Sequence, residues 1–305
     1  KNSMKEIVLT ALFCSFITCS NTEEKQSSSF EPQDAFAKYW YSGVAELNRY
    51  KLSQARYSEQ REGDAVLIFV TEDFLLKKQV KDEGAKNELS TSVLKTNYIK
   101  KFTTGIYDYS LMSSVFTPIN SKEYPSTIKV ATSSQEWCGH TYLQLNKNNT
   151  GYQFSGHSYF MNEGDEAGKF SNILLEDELF NRIRINFHSI PIGELELLPS
   201  TQWLRLSHNK VVPQKASISL SEINESAQHL VLKVSYLHIE RELSITFEKA
   251  FPHKILGWEE SYPSGYGNNK KTMQTSAILD TTILSPYWNK NSNSDLELRE
   301  LFFSK

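Results

Sequence analysis

The chain has little cysteine, glycine or proline: 3, 13 and 9 of its 305 residues. So few glycines and prolines exclude collagen-like and glycine-rich architectures. There is no excess of positive charge, with Lys+Arg 33 against Asp+Glu 36, so no nucleic-acid partner held by bulk charge is expected. After the first twenty residues no apolar run is long enough to cross a bilayer as a helix, which excludes a multi-pass helical membrane protein. There is no Gly-Lys-Ser/Thr phosphate loop, no His-Glu-x-x-His and no Gly-x-Ser-x-Gly. No metal and no cofactor is therefore expected from a motif. What the chain does have is 39% hydrophobic and 12% aromatic residues. That is enough to offset the entropy of ordering a large core.

The first apolar run is short. Met4-Lys5 is a charged start, and Ile7 to Thr18 has the length of a signal-peptide core rather than of a membrane span. Phe16-Ile17-Thr18-Cys19 resembles the lipobox of bacterial lipoproteins. The resemblance implies that Cys19 carries lipid and becomes the first residue after cleavage. The stretch that follows is rich in Ser, Glu, Lys and Gln and has nothing apolar to bury, as a tether requires. The expected organisation is a signal peptide over 1–18, a lipidated polar tether over 19–31 and one β-rich domain over 32–305. The expected location is the cell envelope, on the outer membrane through the lipid anchor. Cys138 is then the only cysteine of the mature chain, and stability rests on the core rather than on disulfides.

Beyond the tether, β signals dominate. β-branched and aromatic runs recur between turn residues, as in Ala65 to Val70, Tyr109 to Ile119 and Leu230 to Glu240. A short helix is expected from Gln33 to Tyr41, and a last one up to Phe303. The stripe Leu175, Leu179, Phe180, Ile183 marks a third, with Glu176, Asp177 and Glu178 as its solvated face. Trp203 to Ser207 reads as a strand. The expectation is a mainly β fold: an antiparallel sandwich or open barrel of about a dozen strands with two or three peripheral helices.

The segment Gln135 to Tyr142 holds the most suggestive chemistry. Trp137-Cys138-Gly139-His140 begins like a thioredoxin-type site, but Thr141 stands where the second cysteine belongs, which excludes dithiol redox chemistry for this motif acting alone. Alternation of side chains predicts a different grouping. Leu143, Leu145, Tyr152 and Phe154 must share the apolar face of a hairpin. A register centred on Asn148-Asn149 then puts His140 opposite His157, and Cys138 opposite Tyr159. Glu136 falls on the same polar face. Glu136, Cys138, His140, His157 and Tyr159 are thus the candidate site, either as a solvent-facing or ligand-binding surface, or as a nucleophile or metal centre.

Tyr39-Trp40, Gln54 to Tyr57, Gly63 to Leu67, Gln135 to His140, Glu176 to Glu178 and Tyr287-Trp288 together resemble a family of Gram-negative envelope lipoproteins. Similar sequences are sometimes labelled septum-formation inhibitor Maf, whose Ser-x-Ser-Pro-Arg-Arg loop has no counterpart here. The resemblance implies no catalytic residues. The expected function is that of a non-enzymatic envelope lipoprotein binding an apolar or polymeric ligand or a protein partner. The alternative is a hydrolase or metal-dependent enzyme using Cys138 with His140 and His157.

Overall fold

The computed structural model describes residues 33–84, 89–223 and 228–303. The expected signal segment and tether, with Cys19, lie outside the described residues. The chain starts with α1 (Gln33–Trp40) and a first half of nine strands. These are β1 (Ala45–Arg56), β2 (Glu59–Leu75), β3 (Val80–Lys81), β4 (Ser90–Thr104), β5 (Tyr107–Pro118), β6 (Lys129–Glu136), β7 (Gly139–Asn148), β8 (Gly151–Ser158) and β9 (Glu166–Ser171). Next come β10 (Leu174–Leu175), a 3-10 turn over Glu176–Glu178, α2 (Leu179–Asn186), β11 (Gly193–Leu198) and α3 (Thr201–Ser207). The second half is β12 (Gln214–Ile223), β13 (His229–Tyr236), β14 (Glu242–Glu248), β15 (Ile255–Ser264) and β16 (Lys271–Ser285), closed by α4 (Leu296–Phe303).

All sixteen strands belong to one sheet, and it is not closed. The mainly β expectation holds, with more strands than the dozen read from the sequence. The order is β10-β11-β12-β13-β14-β15-β16-β1-β2-β4-β5-β6-β7-β8-β9, with β3 added beside β2. Every pairing is antiparallel except β10 with β11. The two outermost strands, β9 and β10, are separated in sequence only by Asn172 and Ile173. Three steps of 3.8 Å keep those edges within about 11 Å of each other at that point. Leu145, Tyr152 and Phe154 from one side of this seam share a buried cluster with Leu175, Leu198 and Trp203 from the other. The sheet therefore curls into a split barrel.

Fifteen strands in a row, about 4.8 Å apart, make a circuit much wider than the eight-stranded barrels that side chains alone can fill. The segment from β10 to α3 fills the excess. Phe180 of α2 packs its ring against Tyr98 of β4 and Trp258 of β15. Leu179, Ile183 and Phe187 lie in the same core. Because this insert is surrounded by sheet, its polar groups are buried as well. Glu176, Asp177 and Glu178 are buried, not the solvated face that their run of charge suggests. Trp203 to Ser207 is helical rather than extended, for the same reason: a segment buried on all sides shows no periodicity to read.

Three buried cations are matched. Arg184 forks onto both oxygens of Glu46 at 2.6 Å. Arg241 pairs with Glu176 and, at 3.0 Å, with Glu260, which also takes Lys100 at 2.9 Å. Burial alone would raise Glu46 and Glu260, but Arg184 in one case, and Lys100 with Arg241 in the other, hold both down to about 2.

Antiparallel order sorts the turns into two ends. Hairpins after β1, β4, β6, β8, β13 and β15 collect at one end, together with the segment that follows α3. α1 and the start of β1 lie at the other, where Trp40 accepts a hydrogen bond from Thr71 and Tyr41 donates to Ser92.

Candidate functional site

The residues singled out in the sequence do not converge. β7 and β8 pair with Tyr142 opposite His157 and Leu145 opposite Phe154. The apolar set faces inward as the alternation requires, but the register is two residues away from the His140–His157 pairing. His140 stands opposite Gln135 of β6 instead. Cys138 is not on a strand: Glu136 pairs with Gly139, so Trp137 and Cys138 form the two-residue tip of a hairpin. That tip reverses the parity and puts Glu136 on the inner face, where it meets Arg205 at 3.5 Å. His157 faces solvent and contacts Asp165 at 3.1 Å. Tyr159 is exposed and lies across Gly139, where its ring leaves no room for a Cβ.

Nucleophile chemistry is poorly served here. Glu136 accepts a hydrogen bond from the backbone N–H of Cys138 at 2.9 Å. The same carboxylate, as hydrogen-bond acceptor and as a negative charge, pushes the Cys138 thiol up, away from thiolate. Among the described residues no group of three or more His, Cys, Asp or Glu side chains could hold a metal.

A different constellation lies at the hairpin end. A cavity of about 610 Å³ opens between the β1–β2, β13–β14 and β15–β16 turns and the C-terminus of α3. Aromatic rings line it: Tyr57, Trp203, Tyr262 and Tyr266. Its charged and titratable groups are Arg56, Lys270, His208 and His238 against a single carboxylate, Glu240.

Arg56 is the last residue of β1 and points inward, as Gln54 and Leu52 do in alternation. It is 6% exposed. Its guanidinium donates to the carbonyl of Leu206 and, at 3.1 Å each, to the hydroxyls of Tyr57 and Tyr109. The Tyr57 ring lies 4.2 Å from its centre. Nε has no hydrogen-bond partner, and among the described residues no carboxylate forms an ion pair with it. Arg56 differs in this from Arg184 and Arg241, each buried and each paired with carboxylate. Burial works against its charge but the tyrosines around it outweigh that, so the guanidinium stays charged, solvated by neutral oxygens and not neutralised.

The turn beside it is strained. Arg56 pairs with Glu59, leaving Tyr57 and Ser58 as a two-residue hairpin in which both have positive φ, 55° and 64°. Such turns favour Asn-Gly. A left-handed conformation costs a residue with a Cβ about 1–2 kcal/mol. Local contacts hold Tyr57 in place: its hydroxyl meets that of Tyr109 at 2.7 Å, and its ring lies 5.9 Å from Tyr266. Strain concentrated where a ring covers a buried cation is the pattern of a ligand site rather than of an optimised turn.

α3 forms the other wall. Asp177 receives the Ser200 hydroxyl at 3.2 Å and the Thr201 backbone N–H at 3.0 Å, which fixes the start of the helix. Burial, opposed by the Thr201 N–H, pushes its carboxyl up to about 6. Trp203 projects from the helix to the cavity with its indole N–H unpartnered. His208 ends the helix in a left-handed conformation, with Nδ1 on Glu163.

The sequence reading missed Arg56, Tyr57 and Trp203. The one local signal was the turn itself, where Tyr57-Ser58 stand in place of the usual Asn-Gly. Comparison of the chain with protein-family models, with curated proteins and with solved structures found no match.

Proposed function

We propose that the protein is a non-enzymatic lipoprotein of the cell envelope, held at the outer membrane through lipid on Cys19, and that its hairpin-end cavity binds a ligand with an anionic group. The single observation that carries the ligand reading is Arg56, buried against the cavity and without a carboxylate partner among the described residues. An anion in the cavity would compensate that charge in a low-dielectric setting. Lys270 adds to the attraction, and the aromatic rings offer faces to the rest of the ligand. The lipobox-like Phe16 to Cys19 and the polar tether support the envelope part. The Cys138 hydrolase or metal-enzyme alternative is disfavoured, since its thiol is pushed up and its histidines stand apart from it.

The test is thermal unfolding of the protein in inorganic phosphate against chloride at equal ionic strength. A ligand at ten times its Kd stabilises by about 1.4 kcal/mol, which raises Tm by roughly 2 °C in a chain of this size. Arg56→Gln should remove the shift. Lys270→Ala, on an exposed side chain, should reduce it without affecting the fold. Cys138→Ala should leave it unchanged. An absent shift in the wild type, or equal shifts in all variants, overturns the reading.

A further inference from the structure

Six large apolar side chains stand exposed at the hairpin end: Ile106, Trp137, Tyr159, Met161, Leu237 and Tyr266. They come from five different turns, after β4, β6, β8, β13 and β15. Ile106 and Met161 are 83% and 91% exposed. Turn tips ordinarily carry Gly, Asn, Asp or Ser, for conformational reasons. The opposite end also exposes apolar side chains, among them Tyr41, Leu89 and Trp288, but they do not surround a cavity with a buried cation as the tips here do. Ring contacts link parts of the apolar rim. Tyr266 leads to Tyr57, and Trp137 to Tyr107 and on to Tyr109. Tyr159 leads through Phe160 to His208 at the cavity wall.

We infer that this rim docks on a lipid bilayer, and that the anion taken by the Arg56 cavity is the headgroup of an anionic lipid. The second half rests on the cavity reading above. Separate tips with polar intervals offer no continuous groove for a protein segment, but each can enter a deformable headgroup layer on its own. Trp and Tyr suit that depth because one end of the ring is apolar and the other wet. Cations for an anionic headgroup are present at this end: among the described residues Lys210, Lys270 and Lys271 form no ion pair, beside acids that include Glu163 on His208, Asp165 on His157, Asp108 and the exposed Glu240. Reach agrees as well. The chain enters at Gln33 at the far end, and β1 spans about 40 Å at 3.3 Å per residue. The 14 residues from Cys19 to Pro32 have a contour of at most about 46–50 Å. A lipid on Cys19 and the rim can touch the same bilayer when that segment is drawn out nearly fully, about twice the ~19–22 Å typical of a flexible chain of its length, and acyl anchoring gains from such a second contact.

The experiment is co-sedimentation of the mature chain, residues 19–305, carrying Cys19→Ser, so that neither the apolar run of residues 7–18 nor an acyl chain contributes. One set of vesicles is phosphatidylcholine, and the other is an equal mixture of phosphatidylcholine and phosphatidylglycerol. The chain should bind both and prefer the mixture. Trp137→Ser combined with Tyr159→Ser should weaken binding to both by at least about tenfold. Lys270→Ala and Arg56→Gln should lower only the preference for the mixture. Leu298→Ser, an exposed apolar residue on α4, should change neither. Failure to bind either vesicle, or binding indifferent to the Trp137/Tyr159 change, overturns the docking surface. If phosphate still stabilises the protein in that case, the cavity reading survives without it. Equal binding to both vesicles overturns the headgroup assignment alone.

Discussion

Replacing Asp177 by Asn should make the protein more stable at neutral pH, although the residue is buried and hydrogen-bonded. Its carboxyl has no cationic partner in its cause of stability: burial dominates, and the Ser200 hydroxyl and Thr201 N–H offset it only in part. The folded carboxyl sits at about 6 instead of the ordinary 3.8. A raised acid binds its proton more tightly in the folded state. Its contribution is therefore complete below 3.8 and is lost as pH rises through about 6. The difference of about two pH units corresponds to about 3 kcal/mol at 1.36 kcal/mol per unit. Asn resembles the protonated acid in shape, can accept from Thr201, and does not ionise. Urea unfolding at pH 8 should show D177N more stable by up to about 3 kcal/mol. The two proteins should converge below pH 4, where the wild-type acid is protonated in both states. Equal stability at pH 8, or a difference independent of pH, would refute the reasoning. Since Asp177 fixes the start of α3, phosphate binding by D177N also reports whether the charge itself matters to the cavity.

Glu46 carries the opposite sign. Its folded value near 2 means that its contribution is present above the ordinary 4.5 and is lost as pH falls through about 2. Glu46→Gln, which leaves buried Arg184 without a counter-charge, should cost about 3–5 kcal/mol at pH 7 in urea unfolding, with the gap narrowing in acid. Changing Tyr57-Ser58 to Asn-Gly should relieve the turn and stabilise the fold by about 1–2 kcal/mol. The same change should weaken the phosphate response of the cavity, and retention of the full response would argue that Tyr57 does not cover the ligand.

Much of the fold was legible because β1-type alternation and turn residues are local. Leu143, Leu145, Tyr152 and Phe154 chose the correct inner face of the β7–β8 hairpin from parity alone. Register was not legible to within two residues, since a slip of two keeps every face. The burial of Glu176 to Glu178 was hidden, because the cation that explains Glu176 is Arg241, 65 residues away. Glu136 lies on the inner face because the two-residue tip Trp137-Cys138 breaks an alternation that sequence parity alone carries straight through. The cavity escaped notice for a related reason: Arg56, Trp203 and Tyr266 meet only when three distant turns are gathered at one end.

The pairing of β1 with β16 has a kinetic consequence. Most neighbouring strands are also consecutive in the chain, so most of the sheet can zip as local hairpins at little loop-closure cost. β1 is different. One of its sides meets β2 at once, but the other waits for residues 271–285, the last strand made. During synthesis β1 is therefore an unprotected edge twelve residues long, the kind that recruits strands from other chains. Glu46 lies on that strand and stays without Arg184 until the insert is placed. A charge on an open edge disfavours pairing with strands of other chains, and Glu46 lies on that edge until β16 covers it.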